Sequence, residues 1–139
     1  MMKWLTSEPI RQSAGLGLVR VIMGGLLLYH GAELFNPAIV QKYLSWDVFK
    51  TPGGKLLVYT GKIMELLAGI LFVLGCFTRV ACLLTTGVMG FIIFFIGKGR
   101  IWYEEQHPFL FILLAMVFFF TGPGSWSLDK IIFDKRRNQ

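Results

Sequence analysis

The sequence predicts an all-α integral membrane protein, a four-helix bundle of antiparallel transmembrane helices. Three observations predict it. The chain of 139 residues is 55% hydrophobic and only 16% charged, whereas soluble domains average about a quarter charged. Its mean hydropathy is +0.62. Its apolar residues also gather into four stretches, each apolar around most of its circumference, separated by polar or turn-forming segments.

Residues 1–14 read as an N-terminal segment at the cytoplasmic membrane surface, with Trp4 and Ile10 as interfacial anchors. No basic region leads directly into a short apolar run with a small-residue cleavage site, so this segment is expected to be retained. Residues 15–132 form the four-span membrane domain, and residues 133–139 a basic tail. Span one runs from Gly15 to Phe35. Within it Gly17, Gly24 and Gly31 recur every seven residues, a spacing that lets helix backbones approach closely in lipid. The segment Asn36 to Lys55 is the longest connection. Its Tyr43 and Trp46 predict a partly ordered stretch lying on the bilayer surface.

Span two runs from Leu56 to Gly75 and span three from Arg79 to Ile96. The turn Cys76-Phe77-Thr78 between them predicts a tight antiparallel hairpin. Span four covers His107 to Thr121. Pro108 suits its first turn, and Gly122-Pro123-Gly124 stops it. At 1.5 Å per residue it reaches only ~23 Å of a ~30 Å hydrocarbon core. Either Trp102 to Gln106 extends the helix or protein shelters one end.

An even number of spans puts both termini on one side. That side carries seven basic residues: Lys3, Arg11, Arg79, Lys130, Lys135, Arg136 and Arg137. The other carries five: Lys42, Lys50, Lys55, Lys98 and Arg100. The excess places the termini in the cytoplasm, in a bacterial inner membrane. The net charge of +6 fits anchoring at anionic headgroups. Its scatter over loops and ends, with no basic stripe, argues against nucleic acid.

Several chemistries lack their residues. Cys76 and Cys82 form no C-x-x-C, and no H-E-x-x-H or glycine-rich phosphate loop occurs. No metal site and no covalently bound cofactor are expected. The unusual residues are the charges inside the spans. An ionised side chain at the bilayer centre costs at least ~2.5–3.5 kcal/mol, yet Glu65 lies at the middle of span two, with Lys62 one turn earlier. Helix rise puts Glu65 ~13 Å and Lys62 ~9 Å below the outer boundary, with His30 ~7 Å and Glu33 ~3 Å deep on span one. His30 with Glu33, and Lys62 with Glu65, are i,i+3 neighbours that share a helix face.

Arg20 enters span one from the inner side, where it is placed to reach toward Glu65. Two cations and two anions then balance, as a buried cluster requires. Three roles remain open for the cluster: a structural network that sets helix register, a polar pocket, or an interface with a partner protein. As a pocket, its candidates are His30, Glu33, Lys62 and Glu65. Its expected aromatic walls are Phe91, Phe94, Phe95, Phe109 and Phe111. An apolar lining with a few polar groups suits an amphipathic ligand such as a quinone.

The stretch Gly15-Leu-Gly-Leu-Val-Arg20, followed by Leu28-Tyr-His30-Gly31, resembles the opening of DoxX-type membrane proteins. So do Glu65-Leu-Leu-Ala-Gly69, Leu74-Gly-Cys-Phe-Thr-Arg79 and the ending Gly122-Pro-Gly-Ser-Trp-Ser-Leu-Asp129. The resemblance covers residues 15–132 and implies a four-helix membrane protein. It also implies a link to quinone-coupled oxidation or to membrane oxidoreductase complexes. Arg20, His30, Glu65, Arg79 and Asp129 are the residues it carries over. Arg20, Arg79 and Asp129 are expected to form a structural ion network, with Arg79 and Asp129 paired across loops at the terminal face.

The expected function is an accessory subunit or quinone-binding protein in membrane redox physiology; the sequence leaves open whether it is catalytic. Its partners would be the lipid bilayer, a membrane or soluble oxidoreductase, and a second copy in a homo-oligomer. The alternatives are a quinone-linked oxidoreductase in its own right and a small transporter or proton path.

Overall fold

A computed structural model describes residues 10–137. Trp4, and the side chains of Lys135-Arg136-Arg137, lie outside the described residues. The described chain is all-helical. Helix α1 spans Gln12–Ala32 and runs into a 3-10 turn at Glu33–Phe35. A short helix α2 follows at Pro37–Leu44, then a 3-10 turn at Asp47–Phe49. Helices α3 (Gly54–Leu74) and α4 (Thr78–Phe91) form the hairpin, and α4 continues as a π-helical turn over Ile92–Ile96. Helix α5 spans Gln106–Thr121 and α6 spans Leu128–Arg137.

Three segments are long and apolar enough to cross a membrane: Gln12–Phe35, Gly54–Leu74 and Thr78–Ile96. The shorter apolar helix is Gln106–Thr121. Sixteen residues give α5 ~24 Å, so the helix stays short. Residues 101–104 form a turn rather than an extension. Exposed Leu18, Ile22, Leu83, Phe94 and Phe120 ring the outside, as lipid-facing side chains do.

Helix α1 packs most closely on α3, α3 also meets α4, and α4 packs on α5. The α1–α3 seam is set by glycine. A Cβ at Gly24 would stand 2.8 Å from the Val73 nitrogen, and one at Gly69 would stand 2.6 Å from the Leu28 nitrogen. Side chains there would force the helices apart. The core behind the seam holds Met23, Leu27, Phe72, Cys82, Phe111 and Phe118. Cys82 is thus an apolar packing residue.

The bundle has two unlike ends. At the terminal face the start of α1 meets the segment after α5: the Ser125 amide donates to the Ser13 carbonyl at 2.7 Å. At the loop face, α2 and the Asp47–Phe49 turn dock on the start of α3 through Val40, Phe49 and Val58. The Asn36 side chain caps α2, accepting from the Ala38 amide, and Pro37 occupies its first turn.

Candidate functional site

Two charged centres occupy the two ends. At the terminal face Arg20 is fully buried. It does not reach Glu65. Its Nε donates to the Pro123 carbonyl at 2.8 Å, and Nη2 donates to those of Trp126 at 2.8 Å and Ser125 at 3.2 Å. Nη1 donates to the carbonyls of Phe72 and, at 3.1 Å, Val73. The last turn of α3 leaves carbonyls without helical partners, and a cation is favoured at that negative end.

Arg79 and Asp129 do not form the expected pair either. The Asp129 carboxylate accepts from the Phe77 amide at 2.7 Å. It also accepts from the Thr78 amide at 2.9 Å and hydroxyl at 2.7 Å. It therefore caps α4 from a distant segment, at the end where an anion is favoured. Arg79 lies 6.0 Å from the centre of the Phe119 ring.

At the loop face the other charges converge. Lys62 Nζ stands 2.8 Å from Glu33 Oε2 and 2.9 Å from Glu65 Oε2. The Tyr43 hydroxyl donates to Glu33 Oε2 at 2.6 Å, and Lys62 lies 4.7 Å from the Tyr43 ring centre. Burial, and then the bond to Glu33, pushes the Tyr43 phenol above its usual range, so Tyr43 stays a donor. His30 Nδ1 is 3.8 Å from Glu33 Oε1, and the His30 ring lies 5.7 Å from that of His107. With Arg20 elsewhere, this cluster sets one cation against two carboxylates.

Beside the cluster lies a cavity of about 190 Å³. Its polar side is His30, Lys62, Glu65 and His107; Glu33 stands behind Lys62 and does not line it. Its aromatic side is Tyr43, Trp46, Phe49, Phe91 and Phe111. Phe91 and Phe111 are where the sequence expected walls. Phe94 and Phe95 are 67% and 63% exposed and face outward, and Phe109 is not part of the lining.

The π turn explains the difference. The Gly97 amide bonds the Ile92 carbonyl five residues back, at 2.9 Å. The extra residue rotates the helix, so that Phe91, Ile92 and Ile96 line the cavity while Phe94 and Phe95 do not. The roof from Tyr43, Trp46 and Phe49 was missed as pocket wall. Asn36-Pro37, a cap followed by a first-turn proline, was the signal that a helix returns there.

The DoxX family model matches residues 15–98. That stretch holds Arg20, His30, Glu33, Lys62, Glu65 and Arg79, while Asp129 lies beyond it. The chain is also similar to an uncharacterized protein of Haemophilus influenzae, 27% identical over 131 residues, covering 86% of this chain and 92% of the relative. No solved structure gives a significant match.

Proposed function

The chain belongs to the DoxX family, and we propose that this multi-pass membrane protein binds a small amphipathic molecule of the quinone type. It does so in the loop-face cavity, beside a membrane or soluble oxidoreductase rather than as an enzyme alone. One observation carries the reading: four ionisable side chains from α1, α3 and α5 border one side of a cavity whose other side is aromatic. A cavity of roughly 150 Å³ takes up a benzene ring, so about 190 Å³ accepts a six-membered headgroup.

The polar side fits that headgroup. Lys62 has three N–H donors, of which two serve Glu33 and Glu65. The third, and the imidazoles of His30 and His107, suit the carbonyl oxygens of a quinone. Glu65 accepts from Lys62 through Oε2 alone among the described residues, which leaves Oε1 for a ligand hydroxyl. Phe91, Trp46 and Phe111 supply ring faces for stacking.

The test follows Trp46, which lines the cavity. In protein with Trp4, Trp102 and Trp126 replaced by Phe, a short-chain quinone should quench fluorescence saturably. His30→Ala and His107→Ala should stay monodisperse and bind roughly five- to tenfold more weakly, the worth of one hydrogen bond. Unchanged affinity in both variants would overturn the reading. A proton path is the second reading, favoured by the hydrogen-bonded succession Glu33, Lys62 and Glu65, with His30 3.8 Å from Glu33. Proton flux in ligand-free liposomes would select it.

The orientation proposed with this function puts both termini in the cytoplasm of a bacterial inner membrane, so that the cavity lies toward the outside. The seven-to-five excess of basic residues on the terminal side supports it. A C-terminal reporter that is active only in the cytoplasm should be active. Activity of a periplasm-only reporter reverses the topology.

A further inference from the structure

The terminal face carries a second cavity, of about 560 Å³, far from the charged cluster. Its walls include Phe77, Arg79 and Val80 at the start of α4, and Asp129, Lys130 and Phe133 on α6. The acid in this cleft is already engaged, since both oxygens of Asp129 are bonded to the start of α4. Among the described residues the two cations enter no ion pair, and the Lys130 ammonium bonds only the Ser13 hydroxyl, at 3.0 Å. The sequence beyond residue 133 adds Lys135, Arg136 and Arg137 against Asp134.

We propose that this cleft holds the phosphate headgroup of an anionic phospholipid. Guanidinium and ammonium groups are the side chains that recognise a phosphate, the former through two parallel hydrogen bonds. The setting selects a lipid as its source. The cleft lies where α3 ends and α4 begins, at the level where the spans leave the bilayer. Trp126 there is 71% exposed, an amphipathic ring of the kind enriched at headgroup depth, and the apolar Phe77 beside it is 56% exposed. The apolar walls Phe77 and Val80 continue into exposed Leu83 along α4, which gives an acyl chain a track into the hydrocarbon. The cations thus meet the headgroup while the chain stays in its own solvent.

The experiment compares lipids added to the full chain in a mild neutral detergent. Phosphatidylglycerol should be retained in native mass spectra and should raise the unfolding temperature; phosphatidylcholine should do neither at equal concentration. Each basic side chain near an anionic lipid surface is worth about fivefold. Arg79→Gln with Lys130→Gln should therefore weaken retention roughly 25-fold while leaving helix content unchanged. Both side chains are at the surface, so neither change removes core packing. Raised salt should weaken binding in the wild type more than in the double variant. Equal retention of the two lipids, or wild-type retention by the double variant, overturns the site. Inorganic phosphate that reproduces the full stabilisation overturns the lipid as its source.

Discussion

Arg20→Met should lower unfolding stability by at least ~4 kcal/mol, measured as the shift in a denaturant titration followed by helical circular dichroism. The size follows from what the guanidinium does. It is fully buried and donates to carbonyls from two separate segments, the last turn of α3 and residues 123–126. A hydrogen bond to a charged group is worth ~1.5–3 kcal/mol, and a buried acceptor left bare costs ~1–3. These terms do not add in full, but they place the change among the few that exceed 4 kcal/mol. Methionine keeps most of the volume and removes every donor.

Arg20→Lys is the informative control. It keeps the charge, yet three donors on one nitrogen cannot reproduce a planar fork aimed at two segments. It should recover only a minor part of the loss. Recovery to near wild type would show that the site needs charge alone. A loss below about 1 kcal/mol in Arg20→Met would remove Arg20 from the fold's support.

The spans were legible because hydropathy and length suffice to find them. The hairpin was legible because a three-residue turn leaves no other arrangement. The pair Lys62 and Glu65 was legible from i,i+3 spacing. The bond from Lys62 to Glu33 was not, since helix rise alone sets Glu33 ~6 Å shallower than Lys62 and only the reach of the lysine side chain closes that gap. Arg20 was misread because a buried cation suggests a carboxylate partner, and sequence does not reveal where bare backbone carbonyls gather. Here they gather because Gly122, Gly124 and Trp126 take positive φ and turn a loop toward α1. Asp129 was misread for the matching reason: its partners are backbone amides of the α4 start. The π turn was not legible, since Ile92–Ile96 is uniformly apolar and carries no phase from which to count residues per turn.

Lys62→Met should be the most damaging change at the loop face, at about 3–5 kcal/mol, the usual cost of removing one member of a buried ion network. Glu33 and Glu65 both bond the same nitrogen, so its loss leaves two carboxylates facing each other across a gap of a few ångströms. Glu33 keeps the Tyr43 hydroxyl. Glu65, 4% exposed, keeps nothing comparable among the described residues. The double variant Lys62→Met with Glu65→Gln removes the stranded charge as well as the cation. It should recover more than half of the lost stability, a coupling that a double-mutant cycle in the same denaturant titration reads directly.

This double variant also divides structure from function. A cluster that only fixes helix register would leave it folded and the Trp46 quinone titration unmoved. A ligand site would leave it folded and abolish saturable quenching, because the ammonium donor and the carboxylate acceptor are both gone. If Lys62→Met alone is as stable as the wild type, the two carboxylates are not held against one ammonium. The loop-face cavity then has no charged wall to orient a headgroup.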